Sequence, residues 1–186
     1  MLKAALDLFS AQNYSTVTIK DIASAIGVNA SLVHYYFGSK EELFLRVVEA
    51  TANEAFQTFE AIRNNAVSPR EVISLWIENH ILQFELMQKL IKISLDYATT
   101  HNRSDRIDEA IGRFYDIEAE VLGNALRVGM EQGIFETRNV DEVITFISTF
   151  LDGSLIRQAI LPRRFDKAAA IHYLHTIVLD RLQVAG

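Results

Sequence analysis

Cysteine is absent from the chain, so it has no disulfide framework, no thiolate metal site and no thiol nucleophile. Proline occurs twice and glycine eight times, without the alternating apolar pattern of strands, which leaves long helices as the simplest filling of 186 residues. There is no secretory signal, and no apolar run approaches the roughly 18 residues of a membrane span; a soluble cytoplasmic protein with no membrane partner is expected. A basic patch is missing too. The formal net charge is −6, and within residues 1–50 Asp7, Asp21, Glu41, Glu42 and Glu49 outnumber Lys3, Lys20, Lys40 and Arg46. Nucleic-acid binding, if present, must rest on where single cations stand.

Catalytic constellations are equally scarce. A di-metal site in a helical bundle needs Glu-x-x-His pairs or several inward carboxylates, and no glutamate here is followed three residues later by histidine. There is no glycine-rich phosphate loop. His172 and His175 share a helix at a spacing that decorates a surface more often than it grips a metal. The expectation is a protein that is not an enzyme, with no cofactor and no metal.

What the chain does have is concentrated between Thr18 and Phe44. Thr18 and Asp21 form a short variant of a capping box, after which Ile19, Ile22, Ala23 and Ile26 recur at helical spacing. Gly27 then supplies a left-handed turn position and Asn29 can cap a second helix from Ala30 to Phe37. Val33 and Phe37 face inward, which leaves Ala30, Ser31, Leu32, His34, Tyr35 and Tyr36 mostly outside. Aromatics packed into an ordinary helical core would be the plain alternative. A helix-turn-helix that reads DNA accounts better for the small residues at the start of the helix and the polar aromatics along it. Thr18 and Lys40, at helix N-termini, are expected at phosphates; Lys20, Asn29, Ala30, Ser31, Leu32, His34, Tyr35 and Tyr36 are expected at or near the groove, with His34 and Tyr35 as the specificity elements.

These residues carry a resemblance. Gly27-Val28, Val33, Tyr35-Tyr36-Phe37, Ser39-Lys40-Glu41 and Leu43, preceded by Thr18 and Ile22-Ala23, resemble the DNA-binding domain of TetR-family transcriptional regulators. Upstream, Ala4-Ala5, Leu8-Phe9 and Tyr14 are similar to that family's first helix, and the likeness fades beyond about Arg46. Four positions depart from the usual pattern. His34 stands where the family usually has Tyr, Asn29 where Ser or Thr is usual, Asn13 where Gly usually ends the first helix, and Gly38 where Lys or Pro is common.

Beyond the motif, Ser39 caps a long helix to about Asn64, and Pro69 opens another that places Trp76, His80, Phe84 and Met87 along one side. A further helix from about Met87 carries Tyr97, and a later stripe carries Phe114 and Glu118. Trp76, His80, Phe84, Tyr97, Phe114 and Glu118 are the expected lining of a site for a small apolar or aromatic effector, since aromatic walls with few polar groups are the usual make-up of such pockets. From Val140 to Leu161 apolar residues occur nearly all round the helix, and a last helix runs from Asp166 to about Val184 with Leu182 inward. In TetR-type proteins such a terminal pair meets its twofold mate in a four-helix bundle, so the resemblance implies a homodimer, with Phe146, Phe150, Gly153, Ser154, Leu174 and Val178 at its interface.

The expected architecture is all-α: residues 1–46 form a three-helix DNA-binding domain with a helix-turn-helix, and residues 47–186 form a helical ligand-binding and dimerisation domain. The resemblance implies a ligand-responsive regulator, a repressor that holds a near-palindromic double-stranded operator as a dimer. A helical module that binds small molecules or partners without reading DNA is the alternative.

Overall fold

A computed structural model describes residues 1–101, 103–137 and 139–181. Among these the chain is helical: α1 Leu2–Ala11, α2 Ile19–Ala25, α3 Ala30–Phe37, α4 Lys40–Arg63, α5 Pro69–Leu82, α6 Phe84–Ala98, α7 Asp105–Glu131, α8 Val140–Ile160 and α9 Lys167–Arg181. The expected end of the last helix near Val184, with Leu182, lies outside the described residues. Two compact units are formed, one from Met1–Glu54 with Gln88–Arg113 and the other from Ala55–Met87 with the residues after Arg113. The position after Arg46, expected as a domain boundary, lies inside α4, and the first unit follows that helix to Glu54.

The first unit is built on buried apolar faces of its short helices. Ala5, Leu6 and Phe9 of α1, Ile22 and Ala23 of α2, Val33 of α3, and Leu43, Phe44 and Val47 of α4 are all buried. An aromatic cluster fastens these helices to the later segment. Phe44 packs edge-on against Phe9 at 5.1 Å and stacks on Tyr97 at 5.2 Å, and Tyr14 meets both Phe44 and Tyr97 edge-on, at 4.8 and 5.2 Å. Polar ties reinforce the arrangement: the Tyr14 amide donates to Asp96 at 2.6 Å, Lys89 pairs with Asp7 at 2.5 Å, and Arg106 pairs with Glu42 at 3.0 Å.

In the second unit Phe59, Ile73, Trp76, Ile77, Leu122, Leu126, Ile147, Leu151, Leu174 and Val178 share one buried core. Helix α8 is long and apolar enough, by length and composition, to cross a membrane. That qualifies the expectation of no such run, which a scan for uninterrupted apolar residues misses because Asp152 and Arg157 break the helix's sequence. Ile144, Ile147, Leu151 and Leu155 are buried within this unit, and 28% of the helix's apolar window is buried in all.

One expected helix is split. The apolar spacing carries the Trp76–His80 face on to Phe84, but α5 ends at Leu82 and Phe84 opens α6. Gln83 closes α5, its amide donating to the Asn79 carbonyl while its side chain donates to Ala55 O at 3.0 Å and Asn79 Oδ1 at 2.8 Å. Neither glycine nor proline marks this break, so the apolar spacing reads straight through it. The Phe84 ring lies instead beneath the Lys167 ammonium, 4.3 Å from its centroid.

Candidate functional site

Local chemistry shapes the helix-turn-helix. The Thr18 hydroxyl accepts from the Asp21 amide at 3.2 Å and the Asp21 carboxylate accepts from the Thr18 amide at 2.9 Å, completing a capping box at the start of α2. The Thr18 hydroxyl also donates to that carboxylate at 2.6 Å, and this bond, with the amide's, holds the Asp21 carboxyl below its ordinary value. Gly27 takes a φ of 68°, where a Cβ would be strained, and the Val28 amide returns to Ala23 O at 3.0 Å. The Asn29 side-chain oxygen Oδ1 then accepts from the Ser31 amide at 3.0 Å and opens α3.

Helix α3 turns Val33 inward and leaves Ser31, Leu32, His34, Tyr35 and Tyr36 exposed, with Ala30 half-buried. Tyr35 is 82% exposed and Tyr36 65%, with the two rings edge-to-face at 5.4 Å. Large aromatics held this far into solvent on a short, capped helix have no packing role to explain them. Lys20 is exposed on α2 and forms no ion pair among the described residues.

Three residues expected to contact DNA hold the motif together. Thr18 commits its hydroxyl to the capping box and Asn29 commits its side chain to the α3 cap. The Lys40 ammonium donates to Tyr14 O at 2.8 Å and lies 4.6 Å from the centre of the Tyr14 ring. It braces the loop after α1, and partial burial lowers its pKa.

A second site assembles in the other unit around Glu118 of α7. Glu118 is 2% exposed, and its carboxylate accepts from the Trp76 indole Nε1 at 3.0 Å and from the Ser148 hydroxyl of α8. One turn along α8 from Ser148, the half-buried Asp152 accepts from the Tyr115 hydroxyl at 3.0 Å. Burial raises the Glu118 carboxyl to about 7 and Asp152 to about 6, and the negative charge of Asp152 adds to the rise at Glu118. Burial and the neighbouring Asp152 push the Tyr115 phenol up as well. No basic side chain pairs with Glu118 or Asp152 among the described residues. Phe56 supplies an aromatic wall, 6.1 Å from Trp76 and 5.3 Å from Phe114. His80 donates from Nδ1 to Trp76 O at 3.0 Å; burial lowers its pKa to about 4, so it is neutral.

Four of the six residues expected to line an effector site, Trp76, His80, Phe114 and Glu118, are thus brought together. Phe84 is turned onto Lys167. Tyr97 is fixed in the first unit, where its hydroxyl accepts from the Ser104 amide at 2.5 Å. Tyr115, Ser148, Asp152 and Phe56 were missed. Tyr115 stands three residues before Glu118, and Ser148 and Asp152 are four apart on α8, so each pair shares a helix face. Nothing in the sequence states that those two faces meet.

Of the residues expected between two copies of the chain, Phe146 is 46% exposed, Gly153 is exposed and Phe150 is half-buried. Ser154, Leu174 and Val178 are not surface residues, at 4%, 0% and 3%. Leu174 and Val178 pack in the chain's own core, and the Ser154 hydroxyl donates to Phe150 O at 2.8 Å. A groove of about 320 Å³ opens beside Gly153, lined by Thr149, Phe150, Arg157 and Phe165.

A capped recognition helix with an exposed polar-aromatic face defines a helix-turn-helix DNA-binding protein. Residues 1–47 match the family model described as bacterial regulatory proteins, tetR family. Over its full length the chain is 26% identical to the HTH-type transcriptional regulator BetI of Rhizobium meliloti (strain 1021), covering 89% of that protein. Its fold is similar to that of a putative transcriptional regulator from Saccharomonospora viridis in complex with choline, with a TM-score of 0.82, 24% identity, and 99% and 96% of the two chains covered. It is also similar to the transcriptional regulator FadR from Bacillus subtilis in complex with stearoyl-CoA, with a TM-score of 0.81, 18% identity, and 98% and 97% covered. Residues 1–47 thus match the DNA-binding domain of TetR-family transcriptional regulators, and the described residues are all-α, with an N-terminal helix-turn-helix and a C-terminal helical domain.

Proposed function

We propose that the chain represses transcription from a near-palindromic operator as a cytoplasmic homodimer, and releases DNA when a small organic cation occupies the cluster around Glu118. The observation that carries the effector class is a pair of carboxylates, Glu118 and Asp152, set among aromatic rings without a basic partner. Burying a carboxylate without a counter-charge is costly, and a cation supplies what is missing. Aromatic faces add to the attraction, with a desolvated cation–π contact contributing about 2 kcal/mol. The positive charge refines the effector expected from apolar side chains alone.

Choline, bound by the Saccharomonospora viridis relative, has this chemistry. Stearoyl-CoA, bound by the Bacillus subtilis relative, does not: its phosphates and long acyl chain ill suit a cluster with two acids.

Phe56 gives the effector a handle on the reading head, because it belongs to α4, the helix that begins directly after the recognition helix. A ligand that shifts Phe56 and Phe114 shifts α4 and thereby the spacing of the two recognition helices in a dimer. The effector must bind the DNA-incompetent arrangement more tightly; a coupling of about 1–3 kcal/mol corresponds to a roughly 5- to 150-fold loss of operator affinity.

The test is a titration of the full-length protein on DNA from upstream of its own gene, with choline or stearoyl-CoA added. Saturable binding lost at higher salt, and release by choline alone, is the expected result. Sequence-specific binding that neither compound relieves would remove the cation, and absence of specific binding would remove the repressor.

A further inference from the structure

His34 and Gly38 are joined by two hydrogen bonds. The Gly38 amide donates to His34 O at 2.8 Å, closing α3, and the His34 ring meets Gly38 O through Nδ1 at 3.0 Å. A carbonyl oxygen only accepts, so Nδ1 carries the proton in this contact. Nε2 of the neutral ring is left with a bare lone pair. The arrangement depends on Gly38, whose φ of 70° and ψ of −56° aim its carbonyl back at the ring.

The ring stands on the exposed face of α3 that also carries Ser31, three residues earlier, and Tyr35, one residue later. An imidazole free to choose its tautomer can present either a donor or an acceptor, and so reads bases poorly. One whose Nδ1–H is already engaged presents only an acceptor. In the major groove the groups that satisfy an acceptor are the exocyclic amino groups, N4 of cytosine and N6 of adenine; guanine and thymine present acceptors there.

We infer that His34 is a specificity-determining residue that reads the exocyclic amino group of a cytosine or adenine through Nε2, with Gly38 as the positioning residue that fixes its tautomer. This rests on the proposed DNA-reading role of α3. A phosphate contact is the competing use of the ring, and it would require Nε2 to donate.

The tautomer is measured first, in the full-length protein without DNA, from ¹⁵N shifts of the imidazole at pH 8. The Nδ1–H form is expected at His34, and the Nε2–H form would overturn the inference whatever the DNA results. Operators are then selected from random duplexes with the unmodified protein and with His34→Leu, both first shown to melt alike. The two profiles should diverge at one position per half-site, where the unmodified protein selects C or A. Replacing that base by its analogue lacking the amino group should weaken the unmodified protein roughly three- to tenfold and leave His34→Leu unaffected. Which analogue acts distinguishes cytosine from adenine. Gly38→Ala, which has open space for a Cβ but a strained φ, should blunt the same preference and shift the tautomer balance. Divergence at G or T, or a uniform loss at every sequence in His34→Leu, would overturn the inference. If no duplex is selected at all, the DNA-reading role itself fails, while the tautomer result stands on its own.

Discussion

The indole Nε1–H of Trp76 ends on the carboxylate of Glu118 at 3.0 Å, a bond between α5 and α7 in a place from which water is nearly excluded. Glu118 carries a raised pKa because burial outweighs the two hydrogen bonds it accepts. Glu118→Gln keeps the shape and removes the buried charge. At pH 8 this variant should gain stability, by on the order of 2 kcal/mol, and lose its response to choline. Thermal melts with and without choline give both readings; a variant that melts lower and still responds would contradict the assignment.

The same groups set a pH dependence. The ordinary values of Glu118 and Asp152 are 4.5 and 3.8, and the folded chain raises them to about 7 and about 6. Folded protein therefore holds protons that unfolded chain has released. Their stability contribution is complete below the unfolded values and is lost as pH rises through the folded ones. A cation needs both carboxylates charged, so its affinity runs the other way, increasing up to tenfold per pH unit for each linked proton and levelling above about pH 8. Calorimetric titration with choline in buffers of different ionisation enthalpy should register proton release near pH 6. An affinity flat from about pH 5.5 to about 8 would remove the carboxylates from the site.

Lys20 and Lys40 should separate in their effects. Lys20 is exposed and unpaired among the described residues, so Lys20→Ala should flatten the salt dependence of DNA binding by about one unit and leave the melting temperature unchanged. Lys40 braces Tyr14 O, and Lys40→Ala should cost about 1 kcal/mol of stability. Equal melting temperatures for the two variants would show that the Lys40 bond adds nothing.

The first unit was legible where its signals are local. Thr18 with Asp21, Gly27, Asn29 and Ser39 act within three or four residues, and each occupies the cap or turn that its chemistry favours. His80 and Glu118 stand out in the sequence because ionisable groups on otherwise apolar faces need partners. Asp152 and Tyr115 do not, since their pairing joins α7 to α8 and exists only after packing. Lys40 shows the same limit: a cation at a helix N-terminus suits phosphate, and nothing local says that it also donates to a carbonyl 26 residues upstream. Amphipathic periodicity likewise identifies an inward face without saying whether it meets its own chain or a second copy.

That last distinction makes the dimer testable. Phe146 is 46% exposed on α8, with Gly153 two helical turns on and the groove beside Gly153 continuing the same surface. Leu174 is fully buried within the chain. If two copies pair through α8 and α9, Phe146→Glu should place a charge in the new interface and little else. It should yield a folded monomer with an unchanged helical spectrum, and lose affinity for a two-half-site operator far more than for a single half-site. Leu174→Glu buries the same charge in the subunit core, without a partner, and should abolish folding itself. Sedimentation velocity and circular dichroism on the two variants decide the matter. Folded dimers from Phe146→Glu would move the interface off this face, and a monomeric unmodified protein at micromolar concentration would remove the dimer altogether.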